Sequence, residues 1–174
     1  MVLAKAKPKA VIDTSFWIHL VKLNLVEEFI ELWNIVITRK VEEELQAFVR
    51  IKLYTPLDLE IYTDLKSKEI IKIKDPKAIP KEINSQITSD SGELYSIALA
   101  KEEKIIVFID NGIPYDFCKI NNILVANNID FSLKLVEDNK LTKEEVLNKL
   151  NILEKSKSMK LKYIEIGRKM LLNK

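Results

Sequence analysis

The sequence predicts an α/β fold built on a mainly parallel central sheet. Two apolar runs, residues 10–12 and 105–109, are continuous rather than alternating. That is the pattern of parallel strands buried on both faces. Each run ends in an aspartate, Asp13 and Asp110. Stretches with helical spacing separate the strand-like runs, and such alternation builds a parallel sheet through helical crossovers.

Residues 10–12 form the first strand, and Phe16, Leu20 and Leu23 start a helix over residues 14–22. Asp13 then lies at the carboxyl end of the strand, the edge at which open α/β sheets bind ligands. Asp13, Thr14 or Ser15 can equally act as the helix N-cap, and this stretch alone leaves both roles open. Leu25, Phe29, Leu32 and Trp33 space out a second short helix, and residues 34–37 make a second strand. Thr38 can cap a third helix, which carries Glu42, Glu43 and Glu44 in a row. On that helix Val41, Leu45 and Phe48 form one apolar face. Glu44 falls roughly 65° from its centre, Glu42 about 95° and Glu43 about 165°. Glu44 is therefore the glutamate expected to point inward.

Pro56 can open a helix over residues 57–65, with Leu57, Ile61 and Leu65 at fourfold spacing. Residues 70–74 read as a short strand or edge segment, and 75–81 as a loop. Asp90-x-x-Glu93 fits a capping box with Asp90 as the cap, while Glu93 is free to face Asp13 across the sheet edge. Gly92 removes a side chain where another group can approach this helix start. Residues 104–110 give the clearest strand, followed by a turn at 110–112, a short helix at 114–120 and a strand at 123–126. The remainder reads as helix. Thr142-x-x-Glu145 is a capping box, Val146, Leu150 and Leu153 carry a core face, and residues 159–172 form a last lysine-rich helix.

The chain has 174 residues, 47% hydrophobic and 31% charged, so the expectation is one globular domain over residues 1–174. With one cysteine, Cys118, an internal disulfide is excluded and a reducing compartment is expected. With one histidine, His19, zinc held by the usual cysteine and histidine ligands is excluded. No apolar signal core follows Lys5, Lys7 and Lys9, and no run is long enough to span a bilayer. These features point to a cytoplasmic protein away from the membrane. The net charge is only +2, but residues 140–174 carry ten Lys/Arg against four Asp/Glu. A basic helical end beside an acidic body is a footprint for nucleic acid, and equally a solvated surface of a lysine-rich chain.

Asp13 and Asp110 share one sheet edge in this reading, with Glu44 and Glu93 on helices that can flank it. Two like charges about 4 Å apart repel by about 4 kcal/mol at an effective dielectric near 20. Such a group takes up protons or binds a cation. Oxygen ligands without His or Cys favour Mg²⁺ or Mn²⁺, one or two ions, and such a site can activate water against a phosphodiester. Glycine-rich phosphate loops are absent, which removes the main support for nucleotide-cofactor and P-loop readings.

Asp13 followed by Thr-Ser, Glu44 within Val-Glu-Glu-Glu-Leu, Glu93 opening the helix Gly-Glu-Leu-Tyr-Ser-Ile-Ala-Leu-Ala, and Asp110 after a strand resemble, in that order, the PIN (PilT N-terminal) domain. The match is to a Gly-Glu sub-branch related to VapC-type toxins. It covers about residues 10–130, leaving a helical extension over about 131–174. The resemblance implies a three-layer α/β/α fold and a metal-dependent endoribonuclease that hydrolyses RNA, single-stranded or structured. It also implies catalytic and metal-ligating roles for Asp13, Glu44, Glu93 and Asp110. Ser15 becomes a supporting hydroxyl, and Asp90 and Asp116 supporting acids. Many such proteins are toxins, dimeric and held by an antitoxin, so a homodimer and an antitoxin partner are expected as well. The chain departs from the sub-branch at Tyr115, where an arginine is frequent, and at Asn127-Asn128, in place of Gly-Thr. Trp17, Phe29, Trp33 and Phe48 read as core. Tyr115 and Phe117 are the aromatics placed to meet RNA, and Arg39, Lys119 and the C-terminal lysines the cations placed to meet phosphate. A PIN-fold nucleic-acid-binding or assembly protein with weak or no catalysis, and a phosphatase-like metalloenzyme, stay open beside the nuclease.

Overall fold

The computed structural model describes residues 7–50, 56–110 and 112–173. Lys5, Asn111 and the side chain of Phe48, all used above, lie outside the described residues. Five strands form one parallel sheet: β1 (Lys9–Ile12), β2 (Asn34–Ile37), β3 (Ile71–Ile73), β4 (Ile106–Phe108) and β5 (Val125–Ala126). Their spatial order is β3-β2-β1-β4-β5. The chain steps outward from β1 to β3, then returns to the other side of β1 for β4. The order reverses between β1 and β4, which makes that boundary the switch point of the sheet. Val11 there pairs with Val107 and Ile12 with Phe108.

Ten helices among the described residues complete a three-layer α/β/α fold. They are α1 (Thr14–Lys22), α2 (Val26–Leu32), α3 (Arg39–Arg50), α4 (Pro56–Ser67), α5 (Lys81–Asn84), α6 (Gly92–Glu103), α7 (Gly112–Ile120), α8 (Asn128–Glu137), α9 (Lys143–Lys155) and α10 (Leu161–Leu172). An aromatic cluster holds α1 and α2 against the sheet. Phe16 packs 4.8 Å from Phe108 and 5.2 Å from Phe29, and Phe131 of α8 lies 5.1 Å from Phe29, ring centre to ring centre. Trp17 is buried and donates its indole N–H to the carbonyl of Asp58.

Several local expectations need correction. Asp90 does not cap α6. Ser91 does, accepting from the N–H of Leu94, while Asp90 adopts a left-handed φ of 55°. On α4 the inward residues are Asp58, Tyr62 and Leu65, and Leu57 is exposed. A helix is amphipathic about its own axis, so a one-residue shift of the buried stripe moves Leu57 to water and Asp58 inward. Lys81–Asn84 is a short helix in place of the end of a loop. Thr38 is buried and accepts from the N–H of Val41, as a cap should. Thr142 and Glu145 form the capping box read from the sequence, and Val146, Leu150 and Leu153 are buried.

Candidate metal centre at the switch point

Asp13 and Asp110 follow β1 and β4, so the sheet itself brings both to its carboxyl edge. The N–H of Asp13 donates to the carbonyl of Phe108 at 3.1 Å, which extends the β1–β4 ladder into the site. Both aspartates are buried, at 1% and 0% exposure. Asp13 lies at that edge and also caps α1. Its Oδ1 accepts from the N–H of Phe16 at 2.8 Å as the cap of α1, and its Oδ2 accepts from the Ser15 hydroxyl at 2.8 Å.

Glu44 points inward from α3 as helix geometry required, while Glu43 is mostly exposed. One Glu44 oxygen accepts from the Thr14 hydroxyl, and the other accepts from the N–H of Gly92 at 2.6 Å. A Cβ on residue 92 would sit 2.6 Å from Glu44 Oε2 and 3.1 Å from Val41 Cγ2. Gly92 is therefore the gap through which the Glu44 carboxylate reaches the start of α6. Glu42 turns toward α4, where Tyr62 and Lys66 donate to it.

Asp110 is the most heavily held of the four. Its Oδ1 accepts from the backbone N–H of Asn128 at 2.8 Å, and both of its oxygens accept from the Asn128 side-chain amide at 2.9 Å. Nδ1 of His19 also meets its Oδ2. Glu93 is partly exposed, and no hydrogen bond to its carboxylate is made among the described residues.

Burial pushes the Asp13 carboxyl well above the usual carboxylate range. The charge of Glu93 and, less strongly, that of Asp110 act in the same direction, against the hydrogen bonds from Phe16 and Ser15. Burial likewise raises Glu44. Glu93 adds to that rise, while Thr14, Gly92 and the charge of Lys40 oppose it. Asp13 thus lies in the field of Glu93 and Asp110, and Glu44 in the field of Glu93.

Donor chemistry fits a hard divalent cation, because every acid offers oxygen and the group is short of positive charge. Spacing is less complete. Among the described residues no three His, Cys, Asp or Glu side chains are grouped closely enough to hold one ion. Mg²⁺ is commonly held by only one or two carboxylates, with water and substrate phosphate filling the remaining positions. Among the charged groups, Glu93 bears most strongly on Asp13.

The remaining candidates lie farther out. Asp90 pairs with Lys40 at 2.7 Å on the surface. Asp116 faces α10, accepting from the Tyr163 hydroxyl at 3.0 Å with Lys162 3.6 Å away. Tyr115 and Phe117 are each only 8% exposed, which corrects their reading as faces open to RNA. The Tyr115 hydroxyl donates to Asp130, and Lys119 lies 5.2 Å over its ring. Arg39 stays exposed, 3.6 Å from Asp75. Cys118 is buried and its thiol is pushed up to about 12, which leaves it inert.

Sequence reasoning missed Thr14, His19 and Asn128. Thr14 stood next to the aspartate but was weighed only as a cap. His19 was weighed only as a zinc ligand. The doubled asparagine was the one signal for Asn128, since one of the two suffices to cap α8, as Asn127 does.

Residues 9–162 match the sequence profile of a family described as a PIN domain. No curated protein matches the chain.

Proposed function

Because the chain belongs to the PIN domain family, a family of nucleases, we propose that it is a divalent-metal-dependent endoribonuclease. The observation that carries this reading is the charge at the switch point. Asp13, at 1% exposure, is held in the field of Glu93 and Asp110, and hydrogen bonds only partly offset it. A buried acid group that repels itself is a poor structural element and a good cation site.

Asp13 and Glu93 would hold the ion directly, and Glu44 and Asp110 would hold it through its bound waters. When bound, Mg²⁺ or Mn²⁺ supplies a water of lowered pKa and screens charge on the phosphate oxygens. Ser15 fixes one oxygen of Asp13, and the start of α1 fixes the other, so that carboxylate keeps one orientation. Thr14 and Gly92 do the same for Glu44. Glu93, partly exposed, is the acid best able to turn toward a substrate or accept a proton from it.

The test is cleavage of a mixed single-stranded RNA pool in Mn²⁺ or Mg²⁺, against chelator and against Asp13→Asn. Metal-dependent cleavage that disappears in the variant supports the nuclease. Equal silence of both proteins, with Mn²⁺ still raising the melting temperature of the wild type, supports the second reading, a PIN-fold nucleic-acid-binding or assembly protein without catalysis. The observation favouring that second reading is the full set of internal donors on Asp110. The VapC-type toxin reading adds a homodimer and an antitoxin. For the homodimer, α7 offers Ile113 and Ile120 at 68% and 79% exposure, and the hydrodynamic size in solution measures it.

A further inference from the structure

Asn128 spends its hydrogen-bonding capacity in an unusual way. Its side-chain amide donates to the carbonyl of Phe16 at 3.0 Å and to both oxygens of Asp110 at 2.9 Å. Its own Oδ1 is buried with no hydrogen-bond partner. Turning the amide over would not help. It would set that oxygen against three acceptors, the Phe16 carbonyl and the two Asp110 oxygens. A buried polar atom without a partner costs stability, and native proteins rarely keep one. The site keeps it in favour of donors on Asp110.

His19 completes the arrangement from α1. A carboxylate oxygen only accepts, so Nδ1 of His19 carries the hydrogen toward Asp110 Oδ2. The backbone N–H of Asn128 is at the first position of α8, where the helix presents partial positive charge to an anion. Three elements, α1, the end of β4 and the start of α8, therefore meet on one carboxylate.

We propose that His19 and Asn128 are positioning residues that fix the orientation of the Asp110 carboxylate beside Asp13. This inference rests on the metal-site reading above. His19 and Asn128 act through Asp110 and touch no substrate. Residues that orient the acids of a metal site typically change metal affinity or activity by about 10–100-fold when removed. A contact serving only to staple α1 to α8 would lower melting temperature and leave the affinity of the folded protein unchanged.

The test uses the full chain. His19 is its only histidine, so a nitrogen-edited spectrum contains a single imidazole. The expected spectrum shows hydrogen on Nδ1, with slow exchange and a downfield signal that is lost in Asp110→Asn. A ring protonated only on Nε2 overturns the proposal whether or not metal binds. Mn²⁺ affinity is then measured by calorimetry, below each protein's melting transition, for wild type, His19→Leu, His19→Asn and Asn128→Ala. The expected result is about 10–100-fold weaker binding in His19→Leu and Asn128→Ala. His19→Asn should recover toward wild type, because an Asn amide can place its N–H where Nδ1 stood. Wild-type affinity in both deletions overturns the proposal while the metal site stands. Absence of Mn²⁺ binding in the wild type overturns the metal-site reading itself, and the imidazole signal then decides the hydrogen-bond geometry alone.

Discussion

At Gly92 the tolerance of the site can be measured with one methyl group. Its added Cβ would lie 2.6 Å from Glu44 Oε2, closer than packing allows, and tightly at 3.1 Å from Val41 Cγ2. Gly92→Ala is expected to cost about 1–3 kcal/mol by overpacking, read as a fall in the denaturant midpoint. It should also weaken Mn²⁺ binding, because the Glu44 carboxylate must leave the Gly92 N–H. Asp13→Asn tests the electrostatics instead. The folded-state pKa of Asp13 is raised, so its contribution to stability is fully present below the usual carboxylate range and is lost as pH rises through the raised value. Without metal, the Asp13 contribution to stability should therefore fall from acid toward neutral pH, and comparison with Asp13→Asn isolates it from the other carboxylates. Asp13→Asn, which keeps an oxygen to cap α1, should melt higher than wild type at neutral pH in chelator, and the gap should shrink at acid pH. Mn²⁺ affinity of the wild type should rise with pH over the same range, since binding displaces protons from Asp13 and Glu44. The placement of these residues was legible because it follows from local rules. Asp13 and Asp110 end apolar strands, and Glu44 is selected by its angle on a helix. Thr14, His19 and Asn128 were not legible. Their partners lie 30, 91 and 18 residues away in the chain, and no local pattern encodes such pairings.

Among the elements, helices with a local cap signal were easy to read, and the four-residue α5 was not. The stretch after residue 128 shows this. Thr142 and Glu145 mark the start of α9 in both sequence and structure, because a capping box acts within one turn. Thr142→Ala should cost roughly 1 kcal/mol in thermal or chemical denaturation and leave Mn²⁺ affinity unchanged. The start of α6 misled by one residue, since Asp90, Ser91 and Gly92 all suit a helix entry. Tertiary contacts settled it. Lys40 draws Asp90 outward and leaves Ser91 to accept from Leu94. β5 keeps only Val125 and Ala126 of a four-residue apolar run, because it lies at the sheet edge with one neighbour to pair with.

For the whole molecule, strand order was the least legible feature. Apolar runs announce strands, but nothing in them says that β4 lies beside β1 rather than beside β3. The C-terminal helices tie back to that sheet. Lys149 donates to the Leu23 carbonyl at 2.7 Å, Tyr163 reaches Asp116, and a Cβ on Gly167 would meet Ile129 of α8 at 2.6 Å. We read residues 1–174 as one folding unit on this account. Thermal unfolding of the full chain should show one transition, and a chain ending at residue 140 should melt at a lower temperature. A truncated chain as stable as the whole would assign α9 and α10 to a separate unit. The pairing of β1 with β4 also sets a schedule for synthesis. The first of the four acids leaves the ribosome nearly a hundred residues ahead of its partner strand, and the two carboxylates share a wall only after β4 has slotted in. A nascent chain therefore lacks the assembled acidic wall, which forms only once translation has moved past β4.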